Sequence, residues 1–305
     1  MRVDEIIHEI KEDKISGASE LMRKAINCLL VFSDTFDADT PEKYYKNLLE
    51  IGKKLINAQP SMAPIFNAVN NVLLVVENEL KKKISVEELK ISTKSISDEL
   101  LIRSKNALKN IKEEVANLIQ DKFRILIHSY SSTVIESLIF AGTQREFEVF
   151  VTESRPLFEG RRTASILAEN GVKTVLIADM ASFHFLDEMN MILTGSDCIC
   201  HNGVVNKVGT KGLAMATSYY GIPFYVLSEK SKFLPSKYMN EPRIENKDPR
   251  EIIEGIESIE IRNIYFDITP YEFLKSIITE DGIFKADEMK AMLERLEVCK
   301  DLIFK

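Results

Sequence analysis

Asp197, Asn202, Asn206 and Lys207 fall within one short stretch of the chain, TGSDCICHNGVVNKVGT (residues 194–210). An apolar run at 191–193 leads into it, and Gly209-Thr210 opens a helix behind it. A carboxylate, two amides and an ammonium set between a strand and a helix suit a phosphorylated polyol. The lysine supplies a point charge, and the N–H groups of a helix start attract anions. Two further loops carry the same theme. His128-Ser129-Tyr130-Ser131-Ser132 offers hydroxyls and N–H groups where a helix opens. Glu153-Ser154-Arg155-Pro156, continuing to Gly160-Arg161-Arg162-Thr163, places three arginines beside a helix N-terminus, where they could grip phosphate bidentately.

Each of these residues also has a plainer reading. Ser131 or Ser132 can cap a helix, Asp197 can fix its own turn, and Arg161 and Arg162 can lie on a solvated face. His128, after a buried strand, reads as a hydrogen-bonded core histidine. Cys198-Ile-Cys200-His201 invites a metal, but strand alternation puts the two thiols on one face and His201 on the other, with no second ligand pair. No metal and no cofactor are expected. The functional reading rests on three separate loops meeting at one rim.

The elements that must position them follow from periodicity. Residues 1–121 read as an all-helical N-terminal domain. Apolar positions recur three or four apart, and Thr40-Pro41 and Pro64 mark helix starts. From residue 122 short apolar runs alternate with helices: runs at 123–127, 147–151, 174–178, 191–200 and 223–227, and helices through Ile135, 163–170 and 209–220. A further helix is expected at 271–279, and 236–250 reads as a polar surface excursion. The pattern predicts an α/β fold, with a Rossmann-like parallel-sheet domain over 122–305 carrying helices on both faces. Ligands of such sheets bind beyond the carboxyl ends of the strands, where the three loops lie.

With 305 residues the chain is long enough for two domains. A formal charge of −7 argues against a direct nucleic-acid partner. No apolar run reaches the roughly 18–20 residues of a membrane span, and the N-terminus has no signal-peptide core, so a cytoplasmic protein without a membrane partner is expected. Four scattered cysteines do not make a disulfide framework.

Three motifs together resemble the translation initiation factor 2B alpha/beta/delta subunits and the related methylthioribose-1-phosphate and ribose-1,5-bisphosphate isomerases. They are T-E-S-R-P with the following G, T-A and G-V (152–172), G-S-D with N-G and N-K-x-G-T (195–210), and F-D-I-T-P with I-I-T-E-D-G (266–282). The resemblance covers most of the chain and implies a helical domain followed by a Rossmann-like one. It also implies a sugar-phosphate or nucleotide pocket containing Gly17, Ser129, Arg155, Gly160, Asn202, Asn206 and Lys207, with Asp197 in the catalytic position. The isomerases use a Cys where Ser129 stands, and an Arg before the glycine where Ser16 precedes Gly17. An alcohol does not match a thiol's acidity without an activating base. The alpha-subunit-like reading is therefore favoured: a regulatory protein sensing a phosphorylated small molecule, with sugar-phosphate isomerase as the alternative. The resemblance implies a homodimer or higher homo-oligomer through the α/β domain; Phe224, Tyr225 and Phe233 offer apolar surface for it, and read equally well as plain core. It further implies initiation factor 2 or other factor 2B-like subunits as partners.

Overall fold

The computed structural model describes residues 2–239, 241–255 and 258–303. Five helices come first: α1 (Val3–Glu12), α2 (Ala18–Thr35), α3 (Pro41–Ala58), α4 (Ala63–Leu80) and α5 (Val86–Leu118). Their starts are chemically marked. Thr40 Oγ1 accepts the Lys43 N–H at 3.2 Å with Pro41 in the first turn, and Ser85 and Glu88 cap α5 reciprocally. The 33 residues of α5 span about 50 Å at 1.5 Å each. Leu89 and Ile96 near its start pack among the other helices, while Ile111 and Val115 near its end pack on the sheet that follows.

That sheet is built from β1 (Arg124–His128), β2 (Glu148–Thr152), β3 (Lys173–Ile177), β4 (Met191–Thr194), β7 (Phe224–Leu227), β9 (Ser276–Thr279) and β10 (Gly282–Phe284). Its order is β10-β9-β7-β4-β1-β2-β3, parallel throughout except for the β9–β10 hairpin. One face, with Ile125, Ile127, Val149 and Val151, is covered by α5, α6 (Ser132–Gly142) and α7 (Glu159–Glu169). The other, with Leu126, Phe150, Ile192 and Val226, packs on α8 (Thr210–Tyr220) and α9 (Ala286–Arg295). Burial on both faces is why these strands read as unbroken apolar runs.

Three expectations are corrected. Residues 198–207 form a hairpin, β5 (Cys198–Cys200) and β6 (Gly203–Lys207), which β8 (Phe266–Thr269) extends into a second, antiparallel sheet. Asn206 and Lys207 thus lie on a strand, not in a loop. Cys198, Cys200, Val205 and Phe266 share an apolar cluster with Leu21, Tyr44 and Ile65 of the helices. The helix expected at 271–279 is a single turn at Tyr271–Phe273 followed by β9, because Ile277 and Ile278 complete the large sheet. Phe224 and Phe233 are fully buried, and Tyr225 packs partly buried beside Leu193 and Leu227, so these aromatics are core and not a docking surface.

Candidate functional site

A cavity of about 390 Å³ opens beyond the carboxyl ends of β1 and β4, between the helical region and the two sheets. Gly17, Ser129, Glu159, Asp197, Lys207 and Tyr265 line it.

The rim is assembled by loop-to-loop hydrogen bonds. Ser129, just past β1, adopts φ +74°, a conformation that a non-glycine residue holds only when its surroundings enforce it. Its N–H donates to Ser154 Oγ at 2.8 Å, and the Ser154 N–H donates in turn to Asp179 Oδ1 at 2.7 Å. The ends of β1, β2 and β3 are thereby stitched together. His128 lies beneath, buried, with Nδ1 2.7 Å from Thr152 Oγ1 and Nε2 3.0 Å from the Val208 carbonyl. It is a structural histidine, and burial holds its pKa below the ordinary value.

Asp197 sits at the floor. The turn leading to it passes directly under α6: a Cβ on Gly195 would lie 2.4 Å from Ser131 Oγ. Lys232 Nζ donates to the Ser196 carbonyl at 2.8 Å and fixes the same turn. Protein encloses the Asp197 carboxyl except towards the cavity, and no described residue donates a hydrogen bond to it. Burial pushes its pKa up to about 6; Lys232 and Lys207 oppose the rise, and Glu159 adds to it.

Lys207 and Glu159 form the wall beside it. Lys207 Nζ lies 2.5 Å from Glu159 Oε1 and 4.9 Å from the Tyr265 ring centroid. The same Oε1 accepts the Ser129 hydroxyl at 3.1 Å, while Glu159 Oε2 is buried without a partner. The start of α2 also borders the cavity, and its cap residue Gly17 supplies no side chain to its N–H groups. The loop before it is held by Asp13, which accepts the N–H groups of Ile15 and Ser16 and pairs with Lys24. Although burial alone would raise its pKa, these bonds hold the Asp13 carboxyl at about 2. At the mouth, Glu251 gathers Lys14 Nζ at 2.6 Å, the Tyr265 hydroxyl at 2.5 Å and Asn263 Nδ2 at 2.8 Å.

Of the residues expected at the site, Gly17, Ser129, Asp197 and Lys207 meet in this cavity. Arg155, Gly160, Asn202 and Asn206 do not. The Arg155 guanidinium is exposed, donates to the Ile252 carbonyl at 3.1 Å and stacks on Phe158, whose ring also carries Arg161. Gly160 is a packing glycine: a Cβ there would stand 1.8 Å from the Thr152 carbonyl oxygen. Asn202 lies exposed in the β5–β6 turn and donates to Glu241. Asn206 alternates away from Lys207 along β6 and donates to Thr210 Oγ1 at 3.0 Å, tying the strand to α8.

Sequence reasoning missed Glu159, Lys232, Glu251 and Tyr265. An acid in the first turn of a helix reads as an ordinary complement to the helix dipole, which hid Glu159. The excursion at 236–250 looked like plain surface, yet Asn246, Lys247 and Asp248 from it line the mouth. Among the described residues no cluster of His, Cys, Asp and Glu is placed to hold a metal ion.

Residues 14–286 match the model of the initiation factor 2 subunit family. The ribose 1,5-bisphosphate isomerase of Pyrococcus furiosus is 31% identical over 290 residues, covering 92% of this chain and 90% of that protein. The crystal structure of the Pyrococcus horikoshii translation initiation factor eIF-2B superposes with a TM-score of 0.80 at 33% identity, covering 92% of this chain and 96% of that one. The 5-methylthioribose 1-phosphate isomerase of Pyrococcus horikoshii shares the fold, with a TM-score of 0.76 at 22% identity over 96% of this chain and 87% of its own.

Proposed function

Since the chain belongs to the initiation factor 2 subunit family, we propose that it binds a phosphorylated sugar in this cavity and isomerises it between aldose and ketose forms. The observation that carries this reading is Asp197, an unbonded carboxyl on the cavity floor with its pKa pushed up to about 6. A group titrating there is ionised often enough to accept a proton at neutral pH and acidic enough to return it. With phosphate on C1 the sugar has no free carbonyl, so the bond between C1 and the ring oxygen breaks, the C2 hydrogen ends on C1 with Asp197 as its carrier, and the C2 hydroxyl proton ends on the freed ring oxygen. The product is a C2 ketone, and the protein ends with its proton inventory unchanged. Likeness to a ribose 1,5-bisphosphate isomerase over nine-tenths of both chains supports this reading.

The regulatory reading keeps one specific observation in its favour: Ser129 lines the cavity with its hydroxyl bonded to Glu159, where the isomerases this chain resembles use a thiol. On that reading the sugar phosphate is a signal, and initiation factor 2 or other factor 2B-like subunits are the partners. Ketose formation from ribose 1,5-bisphosphate or methylthioribose 1-phosphate, followed by NMR, decides between them. Turnover supports the isomerase. A rise in melting temperature with ligand, without ketose, rules the isomerase out and leaves the sensor.

The division into domains at 121/122 and a cytoplasmic location belong to the same proposal, as does assembly into at least a homodimer. With Phe224 and Phe233 in the core, the apolar surface left for self-association includes Met180, Met215, Tyr219 and Tyr220, all exposed. Light scattering at micromolar concentration should give twice the chain mass or more; a monomer there refutes the assembly.

A further inference from the structure

A second cavity, of about 540 Å³, lies between α4, α5 and the loops that follow β7 and β9. It stands on the same carboxyl edge of the large sheet as the Asp197 cavity, where parallel sheets bind ligands, and shares none of that cavity's lining residues.

Its unsatisfied groups are all acceptors. Asn67, only 8% exposed, spends both Nδ2 hydrogens on the Ser231 and Phe233 carbonyls, each at 2.7 Å, which leaves no choice of amide orientation. Its Oδ1 receives no donor from the described residues and is not sealed off from the cavity that Asn67 lines. Asn71 and Asn110 repeat the pattern, donating to the Asn67 and Glu280 carbonyls with no described donor on their own oxygens.

Glu229 is the charged member. It is 3% exposed, and its carboxylate accepts only hydroxyls: Ser19 at 2.9 Å, Ser104 at 2.8 Å and Ser231 at 3.4 Å. Glu280, just past β9, accepts the Lys230 N–H; burial raises its pKa, and Lys230 opposes the rise. The two cations on the lining are already paired, Lys230 with Asp281 at 2.5 Å and Arg103 with Glu99. Buried carboxylates call for a cation and bare amide oxygens for an N–H, so an anion would meet only acceptors here. Among the described residues no set of side chains is placed to hold a metal ion. Leu74, Leu100, Phe233 and Leu296 complete the lining with apolar surface that suits methylene groups.

We infer that this cavity is a binding site for a linear aliphatic polyamine. One ammonium sits at Glu229 and Asn67, which meet through Ser231, and another at Glu280 and Asn110, which are bonded to each other. The site is separate from the sugar-phosphate cavity and stands whether or not that reading holds.

The test is calorimetric titration of the full chain with spermidine. The wild type should bind one spermidine per chain with micromolar affinity, undisturbed by an equal concentration of Mg²⁺. E229Q should weaken binding by about tenfold or more, and E280Q, whose carboxyl is less buried, by about threefold or more. Asp197→Asn should leave the affinity unchanged, which separates this cavity from the other. Thermal melting establishes first that each variant is folded; if E229Q is not, E280Q carries the test. Absence of saturable binding to the wild type overturns the inference. So does unchanged affinity in folded E280Q, displacement by equimolar Mg²⁺, or a loss in Asp197→Asn as large as in E280Q.

Discussion

Asp197→Asn should lower isomerase turnover by about 10²–10⁴-fold, the range expected when a positioned proton carrier is removed. Ligand binding should persist, since the amide keeps the shape of the side chain. The same variant reports on the fold. The folded-state carboxyl titrates near 6 against an ordinary value of 3.8, so the folded chain holds that proton more tightly than the unfolded chain does. The stability gained this way is fully present below pH 3.8 and is lost as pH rises through 6. An amide in the same place carries no charge to desolvate. The variant should therefore melt above the wild type at pH 8, with the gap closing as pH falls towards 4. If the wild type melts higher at pH 8, burial is not what perturbs Asp197; undiminished turnover would remove it from the chemistry.

Gly160→Ala should destabilise the chain by roughly 3 kcal/mol or more, placing it among the rare severe substitutions. The new methyl would enter the Thr152 carbonyl and the backbone of Glu153, neither of which can yield without lifting α7 from β2. Gly212→Ala is the matched control: it lies inside α8 with open space around it, and should be neutral or stabilising by about 0.5–1 kcal/mol. Denaturant midpoints at constant slope would separate the two. Equal midpoints for both variants would refute the close approach at Gly160.

The helical region and the parallel strands were legible because each buries a regular face, and burial writes its period into the residues. Ile125 to Ile127 and Val149 to Val151 are apolar without a break because helices cover both sides. The second sheet was not legible: β5 has three residues, and its hairpin passes through Asn202-Gly203, which looks like any turn. Strand β9 hid for the opposite reason, since Tyr271 and Phe273 mimic a helical start and only the pairing of Ile277 with Val226 settles the matter. At the site, residue type was informative where a side chain must be charged and recessed, as for Asp197 and Lys207. It misled where a charged group has other neighbours: Arg155 and Arg161 both stack on Phe158 and do not line the cavity. Glu159 carries no local mark at all; its meaning comes from Lys207, which is far away in sequence and adjacent in space.

The apolar cluster that joins the helices to the second sheet also has a consequence for synthesis. Ile6, Leu21, Leu48, Ile65 and Ile96 leave the ribosome long before Cys198, Val205, Phe266 and Leu302, the residues that complete their cover. At roughly 5–20 residues per second, the emerging helices wait on the order of 10–40 s before that face is fully covered. The nascent chain is thus most vulnerable to aggregation in the middle of its own translation, and a holding chaperone would act on the first third of the protein while the last third is still being made.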